Sequence, residues 1–216
     1  MNNIKFKEAN AGNFRRGRTS EIEYIVMHYT GNFGDTAKNN ADYFARVSIE
    51  TSAHYFVDGK EIWQSVKDED TAWHCGGRAY KHPYCRNSNS IGIEMCDSLT
   101  AVPDKVLDNA VELVRYLADK YGIDREHIIR HYDVTGKICP GPWVNHPEDF
   151  EAFLDLVFKE VEEVRYNTVA ECPSWARETI QKLVDKEYLN GTGEGLDLSA
   201  DMVRLLVILD RAGAFK

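Results

Sequence analysis

Segments that read as strands and segments that read as helices alternate along most of this chain, and this alternation limits the fold more than any other feature. Short apolar runs predict strands at Tyr24–Thr30, His54–Val57, Ile62–Gln64, Ser90–Met95 and Ile128–Tyr132. Apolar positions three and four residues apart predict helices over Thr36–Val47, Asp104–Tyr121 and Pro147–Val164. Helices interleaved with strands predict an α/β domain in which helices pack on a central sheet.

Turn and capping residues support several of these limits. Thr36 precedes the first helix as an N-cap, and Gly122 follows the helix over Asp104–Tyr121. An Asp58-Gly59 turn predicts that the second and third strands form a hairpin.

Side chains on the Ser90–Met95 strand alternate between an apolar and a polar face. Ile91, Ile93 and Met95 predict the core face, which leaves Gly92 and Glu94 on the other. We expect the Glu94 carboxylate to emerge there, beside a Gly92 that leaves room for substrate. A solvated carboxylate on a sheet face is the alternative interpretation.

The last fifty residues follow a different pattern, which predicts a second domain with its boundary between residues 1–166 and 167–216. Two short helices, Trp175–Leu189 and Ser199–Ala212, are joined by a glycine-rich segment. Trp175 and the apolar residues of the first helix are predicted to pack on the second, through Ile180, Leu183, Val184, Val203, Leu206 and Leu209. Such a small helical module has a marginal core when it stands alone.

Composition and charge exclude several classes of function. The chain has 216 residues, 43% of them hydrophobic, and a net charge of −9 without a basic stripe, which argues against a nucleic-acid partner. No apolar run is long enough to predict membrane insertion, and Met1–Lys7 lacks the apolar core of a signal peptide. We therefore expect synthesis in the cytoplasm with free thiols; whether Cys75 and Cys85 pair in an oxidising medium stays open.

Two histidines and a cysteine stand where strands end. His28 follows the apolar run before it, His131 follows Ile128-Ile129, and Cys139 comes eight residues after His131. Two imidazoles and a thiolate would give zinc three protein ligands and leave a fourth position for water, which is typical of catalytic zinc sites. Buried structural roles are the alternative, since no short zincin motif is present.

Five segments occur together in one order: His28, Ser52–Gly59, Ala72–Gly76, Ser90–Glu94 and His131 with Cys139. In this order, from about Ile22 to Trp143, the chain resembles the type-2 N-acetylmuramoyl-L-alanine amidases, whose superfamily includes phage lysozyme-amidases and peptidoglycan recognition proteins. The resemblance implies a mixed central β-sheet flanked by helices. It also implies zinc-dependent hydrolysis of the amide between N-acetylmuramic acid and L-alanine in peptidoglycan.

The resemblance assigns roles to individual residues. His28, His131 and Cys139 match the zinc ligands, with one Zn²⁺ per chain. Glu94 matches a proposed general base, and Lys137 matches a lysine that stabilises the developing oxyanion. An ordinary surface lysine is the alternative for Lys137.

Three further residues are less clearly assigned. Some relatives carry a catalytic tyrosine where His54 aligns, so either His54 faces the metal pocket and assists proton transfer or Tyr55 belongs to the core. His74 matches a position that lines the substrate groove, with a hydrogen-bonded wall histidine as the alternative. Trp73, the preceding residue, is a substrate-binding candidate. We expect its ring to pack against the protein rather than stack on a sugar.

These assignments predict an enzyme, a phage endolysin or autolysin that acts on cell-wall peptidoglycan after release by lysis or through a holin. Alternatively, the enzyme cleaves soluble wall fragments inside the cell. A non-catalytic muropeptide-binding recognition protein is the alternative function, although such proteins typically lose the cysteine ligand. The C-terminal module resembles a single S-layer-homology unit, for which wall binding and self-association are both open.

Overall fold

The computed structural model describes residues 4–159 and 164–215. These residues form two compact units, 1–159 and 160–216. The strands are β1 (Lys5–Phe6), β2 (Phe14–Arg15), β3 (Tyr24–Tyr29), β4 (Tyr55–Val57), β5 (Ile62–Gln64), β6 (Thr71–Ala72), β7 (Ser90–Met95), β8 (Ile128–Arg130), β9 (Arg165–Tyr166) and β10 (Leu198–Ser199). The α-helices are α1 (Ala37–Arg46), α2 (Asp104–Tyr121), α3 (His131–Thr135), α4 (Gly141–Asn145), α5 (Pro147–Phe158), α6 (Arg177–Asp185) and α7 (Ala200–Arg211).

The N-terminal unit is built on a six-stranded mixed sheet, in the order β1-β5-β4-β7-β3-β8. Strands β4, β7, β3 and β8 are parallel to one another, and β4 and β5 form the predicted antiparallel hairpin. The predicted fold class, a mixed central sheet flanked by helices, is therefore confirmed.

The main core lies on one face of this sheet, under α2 and α5. The sheet contributes Ile25, Met27, Ile91, Ile93 and Met95 to it, all fully buried. Helix α2 begins and ends as its apolar stripe predicts, and Gly122 ends it with a positive φ of 66°. Each of these large side chains stabilises the fold by about 1.5–3 kcal/mol through burial. Polar side chains of the same strands are thereby left for the opposite face.

Several predicted elements end earlier than their patterns indicate, among them the helix predicted over Trp175–Leu189, which spans Arg177–Asp185. The strand predicted to reach Tyr132 ends at Arg130, and His131 is instead the first residue of α3. The Asp133 carboxylate accepts a hydrogen bond from the Arg130 backbone N–H at 2.9 Å, which caps α3. The helix predicted to reach Val164 ends at Phe158, whose side chain is 40% exposed rather than inward. Val161 lies outside the described residues.

The C-terminal unit contains a short antiparallel pair, β9 with β10, that the sequence pattern did not indicate. This pairing places Arg165 and Tyr166 in the second unit, so the division falls after residue 159 rather than after residue 166. Its core consists of Cys172, Ala176, Ile180, Leu198, Val203 and Val207. The predicted packing is wrong for Trp175 and Leu209, which are 50% and 37% exposed. None of the helices in the two described ranges combines the length and apolar character that a bilayer crossing needs.

Candidate metal centre

The candidate site lies on the sheet face opposite the main core, where three neighbouring strands end. In the parallel register of β3 and β7, His28 lies directly beside Glu94. Strand β8 is the other neighbour of β3, and its last residue, Arg130, precedes His131. Sheet register therefore brings together residues that are far apart in the sequence.

The three residues predicted as zinc ligands form one buried cluster. The candidate ligand atoms of His28, His131 and Cys139 all lie within 4.8 Å of one another. The Cys139 Sγ lies 3.6 Å from the His28 Nδ1, and the two imidazole rings have centroids 4.7 Å apart. The Cys139 carbonyl accepts a hydrogen bond from the Tyr132 N–H at 2.9 Å, which fixes the turn after α3.

The protonation of the two histidines suits a metal. Burial lowers the pKa of His28 well below its usual value and lowers that of His131 to about 4, so both imidazoles are neutral. Neither ring nitrogen of the buried His131 has a hydrogen-bond partner among the residues that the structure describes. Leaving a buried polar atom unpaired costs about 1–3 kcal/mol. The His131 ring is therefore arranged to receive a ligand that the protein itself does not supply.

Cys139 and Glu94 hold their protons more tightly than usual without a cation. Burial, with a contribution from the Glu94 charge, raises the pKa of the Cys139 thiol to about 12. Burial also raises the pKa of Glu94 to about 8, opposed by the nearby Lys137 ammonium. A divalent cation reverses this effect for a coordinating thiol, which it deprotonates.

Glu94 and Lys137 both line an open cleft of about 540 Å³ beside the cluster. The Glu94 Oε2 is shielded from solvent and has no hydrogen-bond partner. After burial, the positive charge of Lys137 also contributes to the lowered pKa of His28 and of His131. The cleft thus places a carboxyl group and a cation beside the candidate metal centre, since Glu94 is the register partner of His28.

The other wall of the cleft comes largely from α1 and the loop before it, which sequence reasoning did not assign to the site. The lining residues there are Asn32, Asp35, Asn39, Asn40, Tyr43 and Phe44. Several are amides or aromatics, but no spacing signal separates them from ordinary helix-surface residues. Only the packing of α1 against β4 and β5 brings them to the site.

The alternatives for His54 and Tyr55 are separated by strand alternation. Tyr55 is buried in the core, where its hydroxyl donates to Asp68 at 2.6 Å. His54 lies on the site side, but its Nδ1 accepts the Gly92 N–H at 2.9 Å and its Nε2 faces the Arg18 guanidinium at 2.7 Å. The His54 ring contacts His74 and is not part of the three-residue cluster.

His74 is buried behind His28 rather than exposed in the cleft. Its Nδ1 lies 3.0 Å from the His28 Nε2. A Cβ added to Gly92 would lie 2.4 Å from the His74 Cγ, so the space beside Gly92 is filled by this ring. The expectation that Gly92 leaves room for substrate is therefore wrong. Trp73 is partly exposed, and its backbone is held by Ser52.

All five cysteines are free thiols, and each is buried. Cys75 and Cys85 pack together in a small apolar cluster under the site face of the sheet, with Tyr24, Val26, Ile129 and Val134.

Comparisons with known proteins match this geometry. The family model for N-acetylmuramoyl-L-alanine amidase matches residues 18–142. N-acetylmuramoyl-L-alanine amidase CwlL of Bacillus licheniformis is 39% identical over 146 residues, which are 63% of this chain and 41% of that protein. N-acetylmuramoyl-L-alanine amidase BlyA of Bacillus subtilis is 31% identical over 150 residues, with the same shares of 63% and 41%. This chain thus spans about two-fifths of the length of these relatives.

Solved structures give the same result. The structure of PlyL is 29% identical, covers 74% of this chain and 99% of that chain, and aligns with a TM-score of 0.63. A mutant endolysin from Bacillus subtilis is 31% identical, covers 71% of this chain and 99% of that chain, and aligns with a TM-score of 0.61. The family match covers more than half of the sequence and contains the whole candidate metal centre, so this chain belongs to the N-acetylmuramoyl-L-alanine amidase family.

Proposed function

We propose that residues 1–159 hydrolyse the amide bond between N-acetylmuramic acid and L-alanine in peptidoglycan, with zinc as the cofactor. The observation that carries this proposal is the buried cluster of His28, His131 and Cys139 beside a cleft that contains Glu94 and Lys137. Neutral imidazoles and a thiolate are donors that zinc prefers, and three of them are typical of a catalytic site. The unpartnered nitrogens of His131 fit this ion as well.

The side chains around the cluster divide the reaction between them. Zinc in such a site polarises the scissile carbonyl and lowers the pKa of water. Glu94 takes a proton from the attacking water and passes it to the amine nitrogen that leaves. The raised pKa of its carboxyl group suits a residue that both accepts and donates near neutral pH. The Lys137 ammonium stabilises the negative charge that develops on the carbonyl oxygen.

The remaining predicted site residues have supporting roles in this proposal. His54 binds the Gly92 backbone and Arg18, so we infer that it holds the start of β4 against β7 rather than transferring a proton. The amide-rich wall from α1 is a candidate for contacts with the saccharide and the stem peptide, whereas Trp73 is not among the residues that line this cleft. The family relatives and endolysin structures favour action at the cell wall, as a phage endolysin or an autolysin.

Hydrolysis of purified peptidoglycan tests this proposal. Incubation of intact sacculi with the full chain should release new amino-terminal L-alanine and no new reducing sugar ends. A chain that binds sacculi but cleaves no bond would instead favour the alternative, a non-catalytic peptidoglycan-binding protein. Cleavage of soluble muropeptides without cleavage of sacculi would move the substrate from the wall to its fragments.

The C-terminal unit has a separate feature that favours self-association over wall binding. Helix α7 exposes an apolar seam, with Leu205 56% exposed and Ile208 62% exposed. Asp201, Leu205, Ile208 and Ala212 follow a spacing of four, three and four residues, which is typical of helices that pair. Two antiparallel copies with Leu205 opposite Ile208 would place Asp201 beside Arg211 of the second copy. We therefore propose a second copy of this chain as the partner of α7, in place of an S-layer-homology role in wall binding.

A further inference from the structure

Three side chains and one backbone carbonyl form a continuous chain of hydrogen bonds behind the metal-capable cluster. The His28 Nε2 lies 3.0 Å from the His74 Nδ1, and the His74 Nε2 lies 3.2 Å from the Ser90 Oγ. The Ser90 hydroxyl donates to the Arg86 carbonyl oxygen at 2.7 Å. Of these four hydrogen-bonded groups, only His28 belongs to the metal-capable cluster.

The direction of these hydrogen bonds follows from their last member. Because the Arg86 carbonyl can only accept, the Ser90 hydroxyl donates its proton there and its oxygen is left to accept from the His74 Nε2–H. A neutral His74 with its proton on Nε2 has a lone pair on Nδ1, which then accepts from the His28 Nε2–H. The remaining nitrogen of His28, Nδ1, carries the lone pair and faces the Cys139 Sγ at 3.6 Å.

We propose that His74, held by Ser90, is a positioning residue that fixes the ring orientation and the tautomer of His28, so that the His28 Nδ1 is presented as a metal ligand. This inference rests on the proposed zinc-dependent function and assigns a role to two residues outside the ligand set. Partners of this kind, which hydrogen-bond the second nitrogen of a ligating histidine, set its orientation and basicity.

The surroundings of His74 favour this role over contact with substrate. Both of its ring nitrogens are occupied by protein groups, and the residue is only 8% exposed. Gly92 lies between Ser90 and Glu94 on the same face of β7, and it is the absence of a Cβ there that admits the ring. Strand alternation thus aligns the hydroxyl, the space for the imidazole and the Glu94 carboxyl along one strand.

The affinity for Zn²⁺ alone, measured by competition with a chromophoric chelator, tests the proposal without reference to turnover. His74→Phe keeps a ring of similar size but loses the acceptor, and Ser90→Ala loses the acceptor for the His74 proton. Each should weaken zinc binding by roughly 10–100-fold. His74→Asn, whose side-chain oxygen can accept from the His28 Nε2–H, should recover part of this loss. Gly92→Ala should also weaken binding, because its Cβ displaces the His74 ring.

A matched control separates this role from a general loss of imidazole or of stability. His146→Ala removes an exposed histidine outside the cluster and should leave zinc affinity unchanged. Two-bond ¹⁵N–¹H correlation spectra of histidine-labelled protein should show the proton of His28 on Nε2, and His74→Phe should allow the other tautomer to appear. A merely structural role would lower the melting temperature of the metal-free protein without changing either readout.

The outcomes distinguish this proposal from the function on which it rests. If the parent chain binds zinc and cleaves peptidoglycan, but His74→Phe and Ser90→Ala bind zinc within about threefold of the parent, the positioning role is wrong while the function stands. A rise in KM of His74→Phe with unchanged zinc affinity would overturn it in favour of substrate contact. A parent chain that binds no zinc would contradict the proposed function itself.

Discussion

At the scale of single residues, burial determines what the site can do. The same desolvation that keeps His28 and His131 neutral also keeps Cys139 and Glu94 protonated when no cation is present. Neutral imidazoles bind a metal directly, whereas the thiol must first lose its proton. Metal binding by this cluster should therefore release a proton and strengthen as the pH rises.

The thiolate ligand is tested by Cys139→Ser. A neutral hydroxyl is a poor replacement for a soft thiolate, so we expect zinc affinity to fall by about 100-fold or more and peptidoglycan cleavage to be lost. Chelator competition and alanine release measure the two effects. Cys172→Ser, in the other unit, is the matched control and should change neither. Full cleavage by Cys139→Ser would exclude this thiol as a necessary ligand.

The proton-transferring role of Glu94 is tested by Glu94→Gln. The amide keeps the shape of the side chain but cannot take a proton, so turnover should fall by roughly 10²–10⁴-fold while zinc affinity stays close to that of the parent. Glu126→Gln, at an exposed position of the same chain, serves as the control. If Glu94→Gln cleaves sacculi at the parent rate, the base must be another residue, and His54 would be examined next.

The raised pKa of Glu94 also predicts a pH dependence of stability in the metal-free protein. The folded carboxyl group titrates at about 8 rather than at its usual value of 4.5. The folded state therefore holds the proton more tightly than the unfolded state, and the parent should lose stability as the pH rises from about 4.5 to about 8. Glu94→Gln should lack this loss and exceed the parent by about 5 kcal/mol above pH 8. Urea unfolding of chelated samples across this range measures it; parallel curves for the two proteins would contradict the pKa assignment.

At the scale of elements, sequence patterns predicted most of the scaffold and part of the site. Helix α2 and strand β7 have the limits that their apolar periodicity indicates, and Thr36 caps α1 by accepting the Asn39 N–H. The start of α3 and the end of α5 were not predicted, because capping by Asp133 and a change to extended backbone at Lys159 override the apolar pattern.

Sequence patterns did not identify the site residues that act by positioning other side chains. Ser90 shares a face with Gly92 and Glu94 by simple alternation, so its presence near the site could have been inferred. Its link to His74 could not, because that contact depends on a loop crossing the sheet face. The α1 wall of the cleft likewise could not be predicted, since asparagines on a helix surface form no sequence pattern that distinguishes a binding site.

The turn after α3 is tested by a glycine substitution. Gly136 ends α3 with a φ of 84°, and a Cβ there would lie 2.6 Å from the Lys81 Cε. Gly136→Ala should cost about 1–2 kcal/mol of stability and weaken zinc binding, because the strained turn leads directly to Cys139. Gly122→Ala is a matched control: it has a similar φ of 66° at the end of α2 and no neighbour within 4 Å. It should lose stability but retain the zinc affinity of the parent.

At the scale of the whole molecule, the chain combines an amidase-family unit with a smaller unit that has its own hydrophobic core. Division into two such parts was predicted from the change of pattern in the sequence. The sequence pattern put the boundary after residue 166 because it did not indicate β9, a strand of only two residues that pairs within the second unit. Pairing of so short a strand is set by tertiary contacts rather than by local propensity.

Self-association through α7 is tested on the full chain by sedimentation equilibrium. Ile208→Glu places a charge in the exposed seam without touching the core, so a concentration-dependent dimer of the parent should become a monomer. Arg211→Glu should weaken the dimer through repulsion from Asp201, and adding Asp201→Lys should restore it. A parent that remains monomeric at all concentrations would exclude the second copy as the partner. Binding of such a monomer to sacculi through the C-terminal unit would return the module to a wall-binding role.

The most direct test of the central claim measures zinc content and bond cleavage on the same sample. Elemental analysis of the purified chain is paired with release of amino-terminal alanine from peptidoglycan, before chelation, after chelation and after zinc is restored. The account predicts about one zinc ion per chain, with alanine release that disappears on chelation and returns with zinc. Alanine release that persists in the metal-free protein, or a zinc-loaded chain that cleaves no peptidoglycan, would contradict it.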